Sequence, residues 1–329
     1  MTLWAHSNRR GLSAGESMLE RLMNRVELYQ KGEDNKYNPN FLTKLVKNYR
    51  SHETILHVPN ELFYENELES CGGKEIFRAE NWSNLPKKHF PIIFHAIRGI
   101  EKRDKSSPSV YNQSEAEIVI NYVSQLLGKK MGEHKIKETD IGIISPFRSQ
   151  GEIIEKGLGR KGWHHITVGT VEILQGQEKS IIIVSTVRSA LFQHEGKFHI
   201  GFLSHEKRFN VTITRAKSLL IVVGNPKFLQ IDPCWSVFLE YCQKNGACLG
   251  KKFTLTELSE DEKLKMAGKK TKKKAGGEVR EKDGSGWREN EEKESEQSEV
   301  GEVIDLESSR NGEKGRRVCK GEKRQWKEE

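Results

Sequence analysis

Hydrophobic positions along this chain keep two different periods, and the order of those periods predicts the architecture. Across residues 16–29, Met18, Leu19, Leu22, Met23 and Val26 recur at helical spacing, which predicts an amphipathic helix with one buried face. A Gly/Asp/Asn/Pro connector over 32–39 ends it, and residues 42–46 then read as a short strand. A polar turn, Asn48-Tyr49-Arg50-Ser51-His52, leads into a helical stretch over 53–64. Runs at 91–97, 140–145, 166–171, 180–187 and 219–223, several of them uniformly apolar, predict strands, the last of them being 219–223. Between them, 99–108 reads as a charged loop, 112–127 as a helix with Ala116, Val119, Ile120, Val123 and Leu127 on one face, and Pro146 as the first position of a helix running towards Gly157. A final helix has Asp232 as N-cap and Pro233 at its first position, runs to Lys244 and ends at Gly246. Apolar strands alternating with helices indicate an α/β fold with a mainly parallel sheet covered on both faces.

Composition changes this picture only near Gly250. Residues 251–329 hold 21 Lys+Arg and 20 Asp+Glu with scattered apolar positions, too few to offset the entropy of ordering, so this segment is expected to be a charged, disordered tail. Residues 1–14 read as irregular, leaving 15–250 as one folded domain. Residues 1–250 carry 34 Lys+Arg against 27 Asp+Glu, a modest basic excess compatible with a nucleic-acid partner. The five cysteines are odd in number and form no CxxC pair, which argues against a disulfide framework or a zinc site and for reduced thiols in a cytosolic or nuclear protein. No apolar run has the length of a membrane-spanning helix, so no membrane partner is expected.

The stretch from Val168 to Glu178 joins one strand to the next by a polar turn, and the lip of a parallel sheet is where α/β proteins place ligands. Four segments in order, NYRSH at Asn48, IGIISPFRSQ at Ile141, VGTVEILQGQE at Val168 and KRFNVTITRAKSLLIVVGNP at Lys207, resemble the second RecA-like domain of superfamily 1 RNA helicases of the Upf1-like branch. The closest resemblance is to the Armitage type, which includes the Moloney leukaemia virus ten helicase and its germline paralogue. It implies a domain that closes over a nucleotide held mainly by a first RecA-like domain.

On that resemblance, Arg50 and Arg215 match arginines that reach the γ-phosphate, where catalysis consists mostly of placing positive charge around the transferring oxygens. The ordinary alternative for each is a surface salt bridge. Glu178 matches a ribose-hydroxyl acceptor, held by the turn at Gln175 and Gly176, with an N-cap or a solvated acid as the alternative. Thr170, Pro146, Arg148 and Gln150 match the nucleic-acid groove, or else cap the elements they begin. Tyr49 either stacks on the adenine or, as an aromatic beside a buried strand more often does, fills the core. His52, His164 and His165 lack partners at metal spacing and read as surface or capping residues, and no metal site is expected. Cys234 and Cys242 read as packing residues. Ile173-Leu174 replaces the Glu-Phe pair common in the family, and packing is expected to survive.

The sequence also departs from the family pattern. It holds no GxxxxGK[ST] phosphate loop, no Asp-Glu pair at the end of an apolar strand and no Gly-Asp-x-x-Gln signature. The first RecA-like domain is therefore expected to be missing, and with it the cradle for the β/γ-phosphates and Mg²⁺. ATP and Mg²⁺ belong to the full family context, and neither is expected to bind this chain tightly by itself or to be turned over. The resemblance implies single-stranded RNA, the absent first domain and RNA-silencing proteins of the Argonaute/Piwi kind as partners, in a cytoplasmic setting that includes RNA granules. Two other readings stay open, a non-catalytic RNA-binding scaffold and a DNA-directed member of the superfamily. In the tail, Lys269, Lys270, Lys272, Lys273 and Lys274 form an import or RNA-tethering patch or plain solvated charge. The run Val303, Ile304, Asp305, Leu306 and Glu307 resembles a strand-adding SUMO contact or arises by chance.

Overall fold

A computed structural model describes residues 17–33, 36–103, 107, 109–194, 197–256, 258–259, 262–263 and 266. Its centre is a six-stranded sheet in which every pairing is parallel. The strands are β1 (Ile92–Ala96), β2 (Ile141–Ile144), β3 (Thr167–Gly169), β4 (Lys179–Ser185), β5 (Ala216–Gly224) and β6 (Cys248–Gly250), in the spatial order β6-β1-β5-β4-β2-β3. The helices are α1 (Met18–Arg25), α2 (Glu53–Phe63), α3 (Gln113–Leu126), α4 (Arg148–Gly159), α5 (Glu206–Ile213), α6 (Pro226–Leu229) and α7 (Pro233–Lys244).

Continuous apolar runs make sense here because each central strand is covered on both sides. In β4, Ile182 and Val184 join a core with Ile55 of α2, Phe209 of α5 and Trp235 and Phe238 of α7. Ile181 and Ile183 point the other way, towards Val119 and Val123 of α3 and Ile154 of α4. The first core is anchored by edge-to-face aromatics, with Phe209 and Trp235 centroids 4.9 Å apart, and the Trp235 indole N–H donates to the Leu203 carbonyl at 3.0 Å.

The structure corrects several expectations. In 42–46 there is no strand; instead Lys47–Asn48 pairs in parallel with Glu69–Ser70. The 99–108 loop contains Lys102–Arg103, which pairs antiparallel with Val110–Tyr111. Pro146 does not open its helix, because Phe147 is the extended N-cap and α4 starts at Arg148. The sheet does not stop at β5: the chain after α7 turns at Gly246, with φ +65°, and Cys248–Gly250 adds an edge strand along β1. The helix α1 forms with Ser17 as N-cap, yet none of its residues is buried, and Met18 and Leu19 are 70% and 61% exposed. Periodicity defines its apolar face, but only Leu22, Met23 and Val26 of that face are partly buried.

Packing also continues past Gly250. Phe253, Leu255 and Met266 lie against the first core, with the Phe253 ring edge-on to Phe94 at 5.6 Å. The expectations for residues 1–14, for the lysine run at 269–274 and for Val303 to Glu307 lie outside the described residues.

Candidate nucleotide half-site and nucleic-acid edge

Two clusters form at opposite ends of the parallel strands. The first lies at the amino ends of β4 and β5. Asn48 builds the turn that carries Arg50: its side-chain oxygen accepts from the backbone N–H of Arg50 at 2.9 Å and of Ser51 at 3.0 Å. His52 then caps α2, accepting from the Thr54 N–H, and its own N–H donates to the Lys217 carbonyl at 2.9 Å. His52 is a capping residue, as expected, but it is buried rather than on the surface, and its Nε2 lies 3.1 Å from Glu80. The turn is thus stitched onto the first residues of β5.

This brings Arg50, Arg215, Lys217 and Glu178 together. Arg50 Nη2 lies 3.4 Å from one Glu178 oxygen and Lys217 Nζ 3.5 Å from the other. Arg215 is held from behind, its Nε donating to the Val211 carbonyl at 3.3 Å and Nη1 to the Gln177 carbonyl at 3.2 Å. Burial and the neighbouring Arg50 charge lower the pKa of Arg215, opposed by Glu178 and Tyr64. Three cations around one carboxylate leave a net positive pocket edge, and Arg50 Nε is buried without a hydrogen-bond partner among the described residues. Such a surplus suits a polyanion. It does not suit Mg²⁺, since the one carboxylate present already lies between two cations.

The connector from β3 to β4 runs through this edge. Residues 171–176 form tight turns, with Gly176 at φ +79°, and Arg208 Nε donates to Glu172 at 3.0 Å. Leu174 is fully buried over Gly142, where a Cβ would stand 3.2 Å from its Cδ2, so the apolar position before Gln175 is kept as expected. Gln175 and Gly176 are exposed turn residues beside Glu178. Tyr49 is 68% exposed, which overturns its assignment to the core. The two-residue strand it follows lies outside the main sheet, so no core is there to receive it.

Thr170 sits at the other end. Gly169 pairs with Ile144, which is level with Val184, so Thr170 lies at the level of Ser185 while Glu178 precedes Lys179. Six residues of extended chain separate the two levels by about 20 Å. The connector spans both ends of the sheet, and Glu178 and Thr170 do not share one lip.

The second cluster occupies the carboxyl edge around Thr170, Pro146 and Arg148. Arg148 is 85% exposed in its side chain and pairs with Glu152 one turn on. Gln150, in contrast, is fully buried and does not reach the surface: its amide oxygen accepts from the Asn112 N–H at 2.8 Å, and its amide nitrogen donates to the Asn112 carbonyl at 3.1 Å and to Ser185 Oγ at 2.9 Å. Its expected nucleic-acid contact is replaced by a structural one, because these buried groups would otherwise be unsatisfied.

Gln150 belongs to a closed buried network that motif reading did not find. Glu115 accepts from Ser185 Oγ and the Val187 N–H, both at 2.8 Å, and from the Asn112 side-chain amide at 3.3 Å. Burial pushes the Glu115 carboxyl up to about 8 despite the Val187 and Ser185 donors. Val187 has φ +67°, a conformation that costs a β-branched residue about 1–3 kcal/mol and that the network holds in place. The following Arg188 lies 4.5 Å over the Phe147 ring. Motif reading did not single out Glu115, because its donors Ser185 and Val187 lie some seventy positions away and only Asn112 is local to it. Lys217 did have one: it lies two residues beyond Arg215, and a strand period of two puts both on one face.

The described residues thus form a parallel α/β sheet with a cationic cluster at its amino edge and a polar carboxyl edge. A family profile described as an AAA domain matches residues 14–227. The protein named "Putative helicase mov-10-B.1" of Danio rerio is 47% identical over 259 residues, covering 75% of this chain and 25% of that protein. "RNA helicase Mov10l1" of Homo sapiens is 47% identical over 241 residues, or 71% and 20% of the two chains. "Probable RNA helicase armi" of Drosophila melanogaster is 32% identical over 248 residues, or 71% and 20%. The chain belongs to this AAA-domain family, as a C-terminal helicase domain of the Armitage and MOV-10 group. It spans a quarter or less of the length of these curated relatives.

Proposed function

We propose that this chain is the arginine-bearing half of an ATP-dependent RNA helicase, facing nucleotide with the amino edge of its sheet and single-stranded RNA with the carboxyl edge. The observation that carries this is the meeting of Arg50, Arg215 and Lys217 around Glu178, a cationic surplus on turns tied to β5. Arg50 and Arg215 would neutralise charge on the outer phosphates, and Glu178 would meet the ribose. On the other edge, Thr170, Pro146 and the exposed Arg148 would hold the RNA backbone without reading bases. Two relatives carry RNA helicase in their names, which favours RNA over DNA. A role in RNA silencing follows from the group's resemblance alone.

Catalysis needs the other half. No phosphate loop occurs in the sequence. The purified chain is expected to show no ATP hydrolysis with or without poly-uridylate. RNA-stimulated hydrolysis by the chain alone, lost on Arg215→Ala, would overturn this reading.

A further inference from the structure

Glu178 is shared between two cations, one on each oxygen: Arg50 on Oε2 and Lys217 on Oε1. The cations are not equivalent. Lys217 belongs to β5, at the irregularity between the Lys179–Ala216 and Ile181–Leu219 pairings, whereas Arg50 rides on the Asn48 turn outside the main sheet, which the His52 N–H ties to the Lys217 carbonyl. Arg50 also feels Arg215, a like charge close enough to lower the Arg215 pKa, and has a buried Nε without a partner among the described residues. A guanidinium that is repelled from one side and incompletely bonded is the weaker arm of the clamp.

An added terminal phosphate offers more charge and more acceptor oxygens than one carboxylate, so it draws Arg50 off Glu178. The Glu178 Oε2 is then free, while Oε1 stays on Lys217 and keeps the carboxylate oriented. A freed and oriented oxygen is what a ribose hydroxyl requires as acceptor. We propose that Arg50, Glu178 and Lys217 form a clamp whose Arg50 arm is released by a terminal phosphate, so that phosphate and ribose are recognised cooperatively, with Lys217 as a positioning residue. The proposal rests on the nucleotide reading of this edge.

Because the pair is partly exposed, the coupling is modest, about threefold, and it is reciprocal, each ligand tightening the other equally. The test titrates the full chain with inorganic tripolyphosphate, adenosine and 2′,3′-dideoxyadenosine, followed by amide chemical shifts. Saturating tripolyphosphate is expected to tighten adenosine about threefold and dideoxyadenosine not at all. In Arg50→Met, adenosine alone should bind as tightly as it binds the wild type with tripolyphosphate. In Lys217→Met, the preference for adenosine over dideoxyadenosine should disappear, which a merely structural lysine would not produce. Binding of both ligands without mutual effect overturns the clamp and leaves the half-site standing. Failure of either ligand to bind overturns the clamp and the nucleotide reading together.

Discussion

Glu115 offers a quantitative test of the network beneath the carboxyl edge. Its carboxyl goes from an ordinary value of 4.5 in the unfolded chain to about 8 when folded, because burial disfavours the charge more than the Val187 N–H, the Ser185 hydroxyl and the Thr186 N–H favour it. A raised carboxyl pKa means that the folded state holds the proton more tightly. The associated stability is therefore fully present below pH 4.5, falls as the pH rises towards 8, and stays lost above it. The slope is about 1.4 kcal/mol per pH unit and the whole loss about 5 kcal/mol, a large fraction of a domain's stability. Glu115→Gln is neutral throughout and nearly isosteric, so any misfit of its amide against Asn112 shifts its curve by a constant and adds no pH dependence of its own. Urea unfolding of both proteins from pH 5 to 8.5, followed by tryptophan fluorescence, should show the difference in stability changing steadily in favour of the variant up to about pH 8. Parallel curves for the two proteins would refute the assignment of a protonated carboxyl to this site.

Other residues make separate predictions. Leu174→Ala should cost about 2–5 kcal/mol in thermal or urea unfolding, since it empties a fully buried site over Gly142. Tyr49→Ala, at a position 68% exposed, should change stability by less than about 0.5 kcal/mol. Gln150→Ala should lower stability by about 1–3 kcal/mol by stranding the Asn112 backbone and Ser185, whereas Arg148→Ala should leave stability alone and weaken RNA binding evenly across sequences, with a shallower salt dependence.

The α/β class was legible because the signal lies in short runs: Ile181 to Val184 is apolar without a break, and in a covered parallel sheet both faces want that. The edge strand Cys248–Gly250 was not, since three residues of mixed character carry no period, and only pairing with β1 makes them a strand. The helix cap at Asp232 was readable because capping is decided within three residues. Site residues divided by the same principle. Arg50, Glu178 and Arg215 carry motif spacing and do meet, but Gln150 carries the same kind of signal and is buried, because its partners Asn112 and Ser185 lie far away in sequence. The separation of Glu178 from Thr170 was equally illegible, as a nine-residue stretch says nothing about which end of a sheet it passes.

That separation is the centre of the account: nucleotide chemistry at the amino edge, RNA at the carboxyl edge. It can be measured directly by joining the chain to the first helicase domain of its human relative and following steady-state ATP hydrolysis against RNA concentration. Arg50→Ala and Arg215→Ala are predicted to lower kcat by about 10³-fold even at saturating RNA, while Arg148→Ala raises the RNA concentration needed for half-maximal rate and leaves kcat unchanged. A collapse of kcat in Arg148→Ala at saturating RNA, or an Arg215→Ala protein altered only in its RNA requirement, would contradict it.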